Sequence, residues 1–408
     1  MVREMCKASV LCSFLVLVFT VGVSQARFLS PRQARTAPRG RIACLPSSTV
    51  GTRYPNPFAL GNHAYRGLGL TERNGIVYTC RGGHVDITHV RKLADWTAYL
   101  ASLSREAILA NRDQFTYRMR EPSIYHVRIE YPEGWRDLPA KERDEIAREV
   151  SIHLGKYFAY TGSVWHEILT WFGFRGFALY SEYLSAFSWE DNFSNAWGCY
   201  VGELALRDPE HEFSKALTLA LNRELSKLGV QPKAVARQAG ELVRDSWFTG
   251  DFLLCRMVKR HFDVGWDDGF VTPWLVPGAP GCDDAQPLDW PVPGLASLRE
   301  YGFRVSLEIE PKELEKAAIL RIIYPNGRPW GRIVPTAHFG PIIEHIRGQA
   351  IERYGPQVDN CGLDAPAVTR TRSRRGPAAG RIATGATQNA DSLDLATLAA
   401  RWLSDETS

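Results

Sequence analysis

The stretch LPAKERDEIAREVSIHLGKYFAYTGSVWHEILTWFGF, residues 138–174, decides the fold class. Charged residues are frequent in its first half, while apolar residues recur every three or four positions, as in an amphipathic helix. Its second half is mostly apolar and aromatic but keeps the spacing of a helix. The stretch therefore predicts two helical segments, broken at Thr161–Gly162, in a helix-rich protein.

The other predicted elements are further helices with a few short strands between them. Asp86 is placed to cap a helix that runs to about residue 113. Strands are predicted at 74–80, 123–132 and 303–310, and the Asp-Asp-Gly sequence at 267–269 predicts a β-hairpin turn. Further helices are predicted from a capping-box-like Ser188 to about 207, at 211–228, at 232–246, from Pro311 onward, and at 340–355. The pattern indicates an α+β fold, a single helix-rich domain with a few short antiparallel strands and a hairpin.

The two ends of the chain differ from its middle. Residues 1–26 combine a basic start, an apolar run and a small-x-small site, which predicts a signal peptide cleaved near Ala26, with an uncleaved anchor as the alternative. Residues 27–45 are expected to be a flexible Arg- and Pro-rich leader, 46–361 a single globular domain, and 362–408 a disordered tail. The end of the tail has the spacing of a short helix, either a docking helix or an unattached amphipathic turn. We therefore expect an exported protein, periplasmic or extracellular, with no transmembrane segment after signal cleavage.

Composition and the absence of common motifs exclude several functions. The net charge of +4 is small and does not favour nucleic acid as a partner. The sequence has no GxSxG, P-loop or dinucleotide-binding motif, so serine hydrolases, NTPases and Rossmann enzymes are not supported. Outside the predicted signal, an even number of cysteines predicts up to three disulfides. These cysteines are Cys44, Cys80, Cys199, Cys255, Cys282 and Cys361. A catalytic thiol at Cys80 or Cys199 is a less favoured interpretation.

The first group of candidate site residues lies in GGHVDITH, residues 82–89. If the helix begins at Asp86, then Asp86 and His89 are three residues apart on its first turn and face one way. His84 would lie on the loop just before it. Such a group could present two or three ligands to a metal ion. The structural alternative is that Asp86 only caps the helix and His89 lies on the surface.

The second group is the His166–Glu167 pair in VWHEILTW. A zinc-protease helix needs a second histidine four residues after the first, but Thr170 occupies that position. What remains is a histidine and a glutamate on a mostly apolar helix, where each needs a partner if it is buried. Metal binding or catalysis is one interpretation, and a structural His–Glu pair is the other.

The third group is FSWEDNFSN, in which Glu190 and Asp191 fall in the first turn of a predicted helix. Carboxylates in a first turn interact favourably with the helix dipole, which explains them without any functional role. The functional interpretation is that one of them completes a histidine–carboxylate set with His89 and His166.

Aromatic residues are concentrated in the same region, where 15 of the 44 residues from 157 to 200 are Phe, Trp or Tyr. This density far exceeds the 11% of the whole chain. A core rich in large side chains is the structural interpretation. The functional one is a surface for glycan, lipid or protein, with Trp165, Trp171 and Trp189 as the binding candidates.

Several separated motifs together resemble one known family. They are DITHVRKLADWT, WHEILTW, FSWEDNFSN, VKRHFDVGWDDGFVTPWLV and YGFRVSLEIEP, preceded by the signal-like N-terminus. This combination resembles an exported bacterial family of unknown function, domain of unknown function 4056, over roughly residues 46–360. The resemblance implies export and a single domain, and it implies no established activity.

The three groups support one leading hypothesis and one alternative. The hypothesis is a metal-dependent hydrolase acting on a cell-envelope substrate, with zinc as the expected divalent metal and Glu167 as the general base. Its metal ligands would be His89 and His166, with Asp86 and Glu190 as ligands or orienting groups and His84 and Asp191 as secondary candidates. The alternative is a non-enzymatic envelope-binding module that uses an aromatic-rich surface.

Overall fold

The structure is a computed structural model that describes residues 28–41, 52–175, 183, 185–250, 256–327 and 331–362. Its helices are α1 (Pro31–Ala34), α2 (Ile87–Leu109), α3 (Ala140–Trp171), α4 (Asp191–Arg207), α5 (Phe213–Lys227), α6 (Lys233–Leu242), α7 (Lys316–Ile323) and α8 (Pro335–Tyr354). Its strands are β1 (Ile76–Thr79), β2 (Gly83–Asp86), β3 (Gln114–Tyr117), β4 (Ile124–Glu130), β5 (Phe248–Thr249), β6 (Arg256–Met257), β7 (Phe270–Val271), β8 (Trp290–Pro291) and β9 (Arg304–Glu310). The predicted α+β class is confirmed, with helices forming most of the core.

Helices α2 and α4 pack closely and run in the same direction. Gly198 of α4 lies against the backbone of Val90, and Gly202, one turn later, lies against Ala94. A side chain at either glycine would overlap the backbone of α2, so only glycine permits this approach. Because both helices run the same way, the start of α4 lies beside the start of α2.

Helix α3 runs antiparallel to α2. An ion pair between Arg105 and Asp144 joins the end of α2 to the start of α3. Further along, Gly155 of α3 lies against Thr97 and Ala101. This direction carries the end of α3 toward the start of α2. The three core helices therefore bring residues near 89, 166 and 191 to one end of the bundle.

The strands form small antiparallel sheets. The largest has the order β3-β4-β9, and Val127 in its central strand pairs with Phe115 on one side and Leu307 on the other. A second sheet is the hairpin β1–β2. Its turn lies between Thr79 and Gly83, which is where the sequence predicts that the first strand ends. Alternation of buried and exposed residues along β4 matches the predicted strand at 123–132.

The predicted helix break at Thr161–Gly162 is wrong, because α3 is continuous over 32 residues. A Cβ atom at position 162 would collide with the sulfur of Met119, and it would lie 3.6 Å from the hydroxyl oxygen of Tyr125. Gly162 therefore allows the loop and strand beside α3 to approach its backbone. The role of Gly162 is close packing. Its local sequence predicts a helix break only because glycine has a low helix propensity.

Three further predictions on local structure are wrong. The Asp-Asp-Gly turn at 267–269 does not join two paired strands, since β7 pairs with β8, and the Asp263 carboxylate accepts the amides of Gly265 and Thr272 instead. The Ser188 capping box does not form, because its hydroxyl donates to the carboxylates of Glu190 and Asp191. The helix expected from Pro311 begins only at Lys316.

Residues 28–41, which lie within the predicted Arg- and Pro-rich leader, include side chains that contact the globular domain. Arg41 is buried and pairs with Asp95 at 2.5 Å and with Glu72 at 3.0 Å, and Arg39 also pairs with Glu72. His63 bridges the same two carboxylates, with its Nε2 2.8 Å from Asp95 and its Nδ1 3.2 Å from Glu72. We call these five residues the N-terminal ion cluster. It fastens the segment to α2, because the charges of Glu72 and Asp95 are buried and need these cations.

One disulfide, Cys80–Cys282, joins the end of β1 to a loop 202 residues later. Cys199 is buried and Cys361 exposed, and neither is paired among the described residues, while Cys44 and Cys255 lie outside that part. In the same part of the chain, no helix has both the length and the apolar character needed to cross a bilayer. The predicted signal peptide and C-terminal tail also lie outside the described residues.

Candidate functional site

His89 and Asp191 form an ion pair where α2 and α4 begin. The Nδ1 atom of His89 lies 2.7 Å from Oδ1 of Asp191, although the N–H does not point directly at that oxygen. Burial alone would lower the pKa of His89, but the negative charge of Asp191 outweighs it and raises the pKa overall. The predicted meeting of the 84–89 and 190–191 segments is therefore seen in this pair.

His166 pairs with a residue that the sequence did not indicate. Its Nδ1 atom lies 2.8 Å from Oε1 of Glu121, in the connection between β3 and β4. Burial opposes the charged form of each partner, but the hydrogen bond raises the pKa of His166 and lowers that of Glu121. Nothing in the sequence around Glu121 indicates a site residue, since the chain has many acidic residues and this one lies in an ordinary loop.

Glu167 lies behind these two pairs and is buried, with 5% of the residue exposed. Its Oε2 accepts the backbone amide of Phe187 at 2.7 Å, which ties the end of α3 to the segment leading into α4. Burial, followed by the negative charge of Asp191, raises the pKa of Glu167 to about 7, and the charges of His166 and His89 oppose this rise. We call His89, Asp191, His166, Glu121 and Glu167 the acid–base cluster.

The backbone beside Glu167 is in an unusual conformation. Phe187 has a φ angle of 55°, in the left-handed region that bulky residues rarely adopt. Its amide donates to Glu167, and its carbonyl accepts the amide of His261. Surrounding contacts therefore hold a strained residue next to the acid–base cluster, as is common at functional sites.

Glu190 contributes a second buried carboxyl near the cluster. Its Oε2 accepts the hydroxyl of Ser188 at 2.7 Å, and its Oε1 has no hydrogen-bond partner among the described residues. Burial and the neighbouring charge of Asp191 hold its pKa well above the usual range. The raised pKa favours the neutral acid, which is a poor ligand for a cation in that form.

Asp86 and His84 have structural partners. Asp86 caps α2 as predicted, with its Oδ1 accepting the amide of Thr88 at 2.7 Å. His84 lies within β2 rather than on a loop, where Trp189 donates to its Nδ1 at 3.3 Å. Burial lowers the pKa of His84 to about 4, so this ring is neutral and enclosed.

The three candidate tryptophans are part of the core. Trp165, Trp171 and Trp189 are all at most 5% exposed. Their indole N–H groups donate to Ser123, Gln349 and His84, respectively. Their partners are internal, so these indoles do not form the exposed aromatic surface that the binding-module alternative requires.

The geometry of the described residues gives little support for metal binding or for a catalytic thiol. In the described residues, no group of three or more His, Cys, Asp or Glu side chains is arranged to hold a metal ion. Cys80 is consumed in the disulfide, and burial raises the pKa of Cys199 to about 12, far from the reactive thiolate form. What the acid–base cluster can do is exchange protons near neutral pH.

Comparison with known proteins identifies the family. A family model described as "Protein of unknown function (DUF4056)" matches residues 45–268, more than half of the chain. The chain belongs to this family. The DUF4056 match contains every residue of the acid–base cluster, but it ends before the YGFRVSLEIEP strand that contributes to the resemblance. No curated protein and no solved structure shows significant similarity to the chain.

Proposed function

We propose that this DUF4056 protein is an exported hydrolase in which His89 and His166 transfer protons to and from a cell-envelope substrate. One observation carries the proposal: both imidazoles hold Nδ1 against a buried carboxylate at the same end of the helix bundle. The negative charge of a carboxylate beside Nδ1 favours a proton on that nitrogen, and it leaves Nε2 to exchange protons with the substrate.

The two histidines would divide the proton transfers of hydrolysis. One imidazole takes a proton from the attacking water, and the other donates a proton to the leaving group, so the protons balance over one turnover. The side chains of His89 and His166 are 12% and 24% exposed, so substrate would reach them before Glu167. Glu167 would act through them, because its pKa of about 7 lets it hold or release a proton as the imidazoles change charge.

A substrate panel with matched variants tests this proposal. The purified protein would be assayed against ester, amide, phosphodiester and glycoside substrates, including isolated cell-envelope material. We expect one class to be hydrolysed, and His89→Gln or His166→Gln to lower kcat by about 100-fold or more, the usual contribution of general acid–base catalysis. The control is His126→Gln, since His126 forms a comparable 2.8 Å pair with Glu310 on β4 and β9, outside the cluster.

Two results would contradict acid–base hydrolysis. One is that no substrate class is turned over faster than the uncatalysed rate. The other is that His126→Gln lowers kcat as much as the two cluster variants, since the loss would then reflect stability. Near-ultraviolet circular dichroism of each variant distinguishes lost chemistry from lost folding.

A metal-dependent version of the same site is the second candidate. It is favoured by the carboxylates at Nδ1 of His89 and His166, since metal-binding histidines typically donate their other nitrogen to a carboxylate. Zinc would then be held by these imidazoles, with Asp86, or Glu190 once ionised by the bound metal, as an additional ligand. Native mass spectrometry of untagged protein should show about one metal per chain, which both histidine variants lose. Metal-free protein that retains activity would exclude this version.

We also propose that the chain is exported and cleaved near Ala26. The N-terminal pattern supports this, and so does the Cys80–Cys282 disulfide, since disulfides persist mainly in oxidising compartments. Cell fractionation with N-terminal mass analysis should find a shortened chain outside the cytosol. An intact N-terminus in the cytosolic fraction would rule export out.

A further inference from the structure

The segment of residues 52–74 exposes more large apolar side chains than other parts of the described structure. Phe58, Leu68 and Leu70 are 69%, 60% and 87% exposed. Leu314 is the only other large apolar residue of the described part that is more than half exposed. Single exposed apolar residues are common on proteins, whereas Leu68 and Leu70 are two highly exposed leucines within three residues of one loop.

Leu68 and Leu70 lie on a loop whose backbone is held by specific contacts. Residues 66–70, which we call the exposed tip, have glycines at 67 and 69 with φ angles of 76° and 59°. A Cβ atom at Gly69 would overlap the guanidinium of Arg39, so the tip backbone rests on that side chain. The amide of Glu72 also donates to the carbonyl of Gly69 at 2.9 Å. The fold therefore holds Leu68 and Leu70 in solvent through defined backbone contacts.

The base of the exposed tip is fastened by the N-terminal ion cluster. Arg39 and Arg41 both donate to the carbonyl of Ala64, at 3.1 and 3.0 Å. The Glu72 carboxylate accepts the amide of Ala64 at 2.8 Å. The tip is thus attached to the segment that follows the apolar run of residues 10–23 in the sequence. Under the export proposed above, on which this step rests, that run enters a membrane as a signal or as an anchor.

The exposed charge of the segment 52–74 is basic. Arg53, Arg66 and Arg73 are exposed, and they lie in the same segment as the three apolar residues. Glu72, the one acidic residue between 52 and 74, has a fully buried side chain that is paired with Arg41. Exposed apolar side chains among arginines, with no exposed carboxylate in the segment, are complementary to anionic lipid headgroups above an acyl layer.

We propose that the exposed tip docks on an anionic membrane surface, with Leu68 and Leu70 entering the interface and Arg66 and Arg73 contacting lipid phosphates. This contact is independent of the acid–base cluster. It holds the domain at a lipid surface whether or not the N-terminal run is removed. Affinity would come from apolar burial together with attraction between arginine and phosphate, and the second part would weaken with salt.

Vesicle binding tests this docking. The exported full chain, with its N-terminus defined by mass spectrometry, would be sedimented with vesicles of equal parts phosphatidylglycerol and phosphatidylcholine, and with phosphatidylcholine alone. We expect binding to the anionic vesicles that falls about tenfold or more in the Leu68→Ser/Leu70→Ser variant. Arg66→Gln/Arg73→Gln should lower binding several-fold and remove most of its salt dependence.

Leu314→Ser is the matched control, because Leu314 is 95% exposed and lies outside the segment. Its vesicle binding should equal that of the parent chain. The proposal is overturned if anionic vesicles bind no better than phosphatidylcholine, or if the double leucine variant binds as well as Leu314→Ser. It is also overturned if the leucine substitutions instead dissociate an oligomer in analytical ultracentrifugation, since the tip would then be an interface between copies of the chain.

Discussion

The acid–base cluster and the N-terminal ion cluster are both buried groups of charge, but their charges are balanced differently. In the N-terminal ion cluster, two carboxylates are matched by the two arginines and His63, and Arg41 contacts both carboxylates. In the acid–base cluster, three carboxylates lie with two imidazoles, and the buried Glu190 adds a fourth acid nearby. The charges of Lys92 and Arg260 act on the cluster from outside it. Arginine is always charged, whereas an imidazole carries charge only when protonated.

This difference in cations reverses the effect of burial on the carboxylates. In Glu72, burial is outweighed by hydrogen bonds from His63 and Arg41, and the pKa is held far below its usual range. In Glu167, burial and the charge of Asp191 prevail, and the pKa rises to about 7. Glu72 is therefore a fixed anion that holds structure, whereas Glu167 changes its protonation near neutral pH. Hydrogen bonds from arginine make the buried Glu72 carboxylate structural. Glu167 accepts a backbone amide and has Arg260 only as a nearby charge, which leaves it able to titrate.

Removing the central arginine of the N-terminal ion cluster should give the largest effect on stability. Arg41→Gln would leave Glu72 and Asp95 buried with too few cations, and removing one partner of a buried ion pair costs about 3–5 kcal/mol. Urea denaturation at pH 7 would measure this loss in the free energy of unfolding. Arg35→Gln, at an exposed position on the same segment, should change it by less than about 0.5 kcal/mol. Equal values for the two variants would mean that the cluster does not hold the segment.

Replacing Glu167 should change how stability depends on pH. Because the folded pKa of about 7 lies above the ordinary value of 4.5, Glu167 contributes stability below about pH 4.5 that is lost as pH rises to about 7. Glu167→Gln should remove this contribution, which amounts to a few kcal/mol at most. Its unfolding free energy should therefore fall less between pH 5 and 8 than that of the parent chain, which paired urea titrations would measure. Parallel pH profiles would show that Glu167 is already charged in the folded protein.

Glu72→Gln is the matched comparison for that experiment. The folded pKa of Glu72 is lowered, so its contribution is present above about pH 4.5 and is lost only at more acidic pH. The substitution should therefore destabilise the protein at pH 7, where Glu167→Gln is neutral or stabilising. Opposite signs at one pH would establish that the two buried glutamates differ in ionisation.

The smallest expected effect is a shift in histidine pKa values, measured by an NMR titration of the unmodified protein. The pKa values of His89 and His166 should lie above the ordinary histidine value, because each ring pairs with a carboxylate. His84 and His261 are buried with no carboxylate at hydrogen-bond distance, since Oδ2 of Asp263 lies 3.9 Å from Nε2 of His261, so burial should lower their pKa values to about 4 and about 3. Long-range ¹H–¹⁵N spectra between pH 4 and 9 would report all four rings. A ring of the cluster that titrates below the ordinary value would exclude the ion pair proposed for it.

Local patterns predicted many of the elements. The period of three to four residues and the capping position of Asp86 predicted α2, and alternation predicted β4, because these signals depend on neighbours in sequence. The break at Thr161–Gly162 and the hairpin at 267–269 were wrong for the converse reason. Whether a glycine interrupts a helix or admits a neighbour depends on what packs there, which for Gly162 is Met119.

The candidate site, too, could be predicted only in part from the sequence. An apolar helix that contains His166 and Glu167 requires partners for both, and the sequence alone establishes that requirement. The partners are 45 residues away for His166 and 20 for Glu167, and one of them is a backbone amide. Distance along the chain carries no information about such pairs, since they are set by the packing of the β3–β4 connection and of the segment before α4 against α3.

The sequence by itself determined the family, the mixture of helices with short strands, and the presence of ionisable residues among aromatic ones. Only the tertiary structure decided which carboxylate meets which cation. That decision sets the chemistry, because the ionisation of a buried group depends on the charges within a few ångströms of it. Glu72 and Glu167 are both glutamates, and only their neighbours in the folded protein make Glu72 a fixed anion and Glu167 a titrating acid.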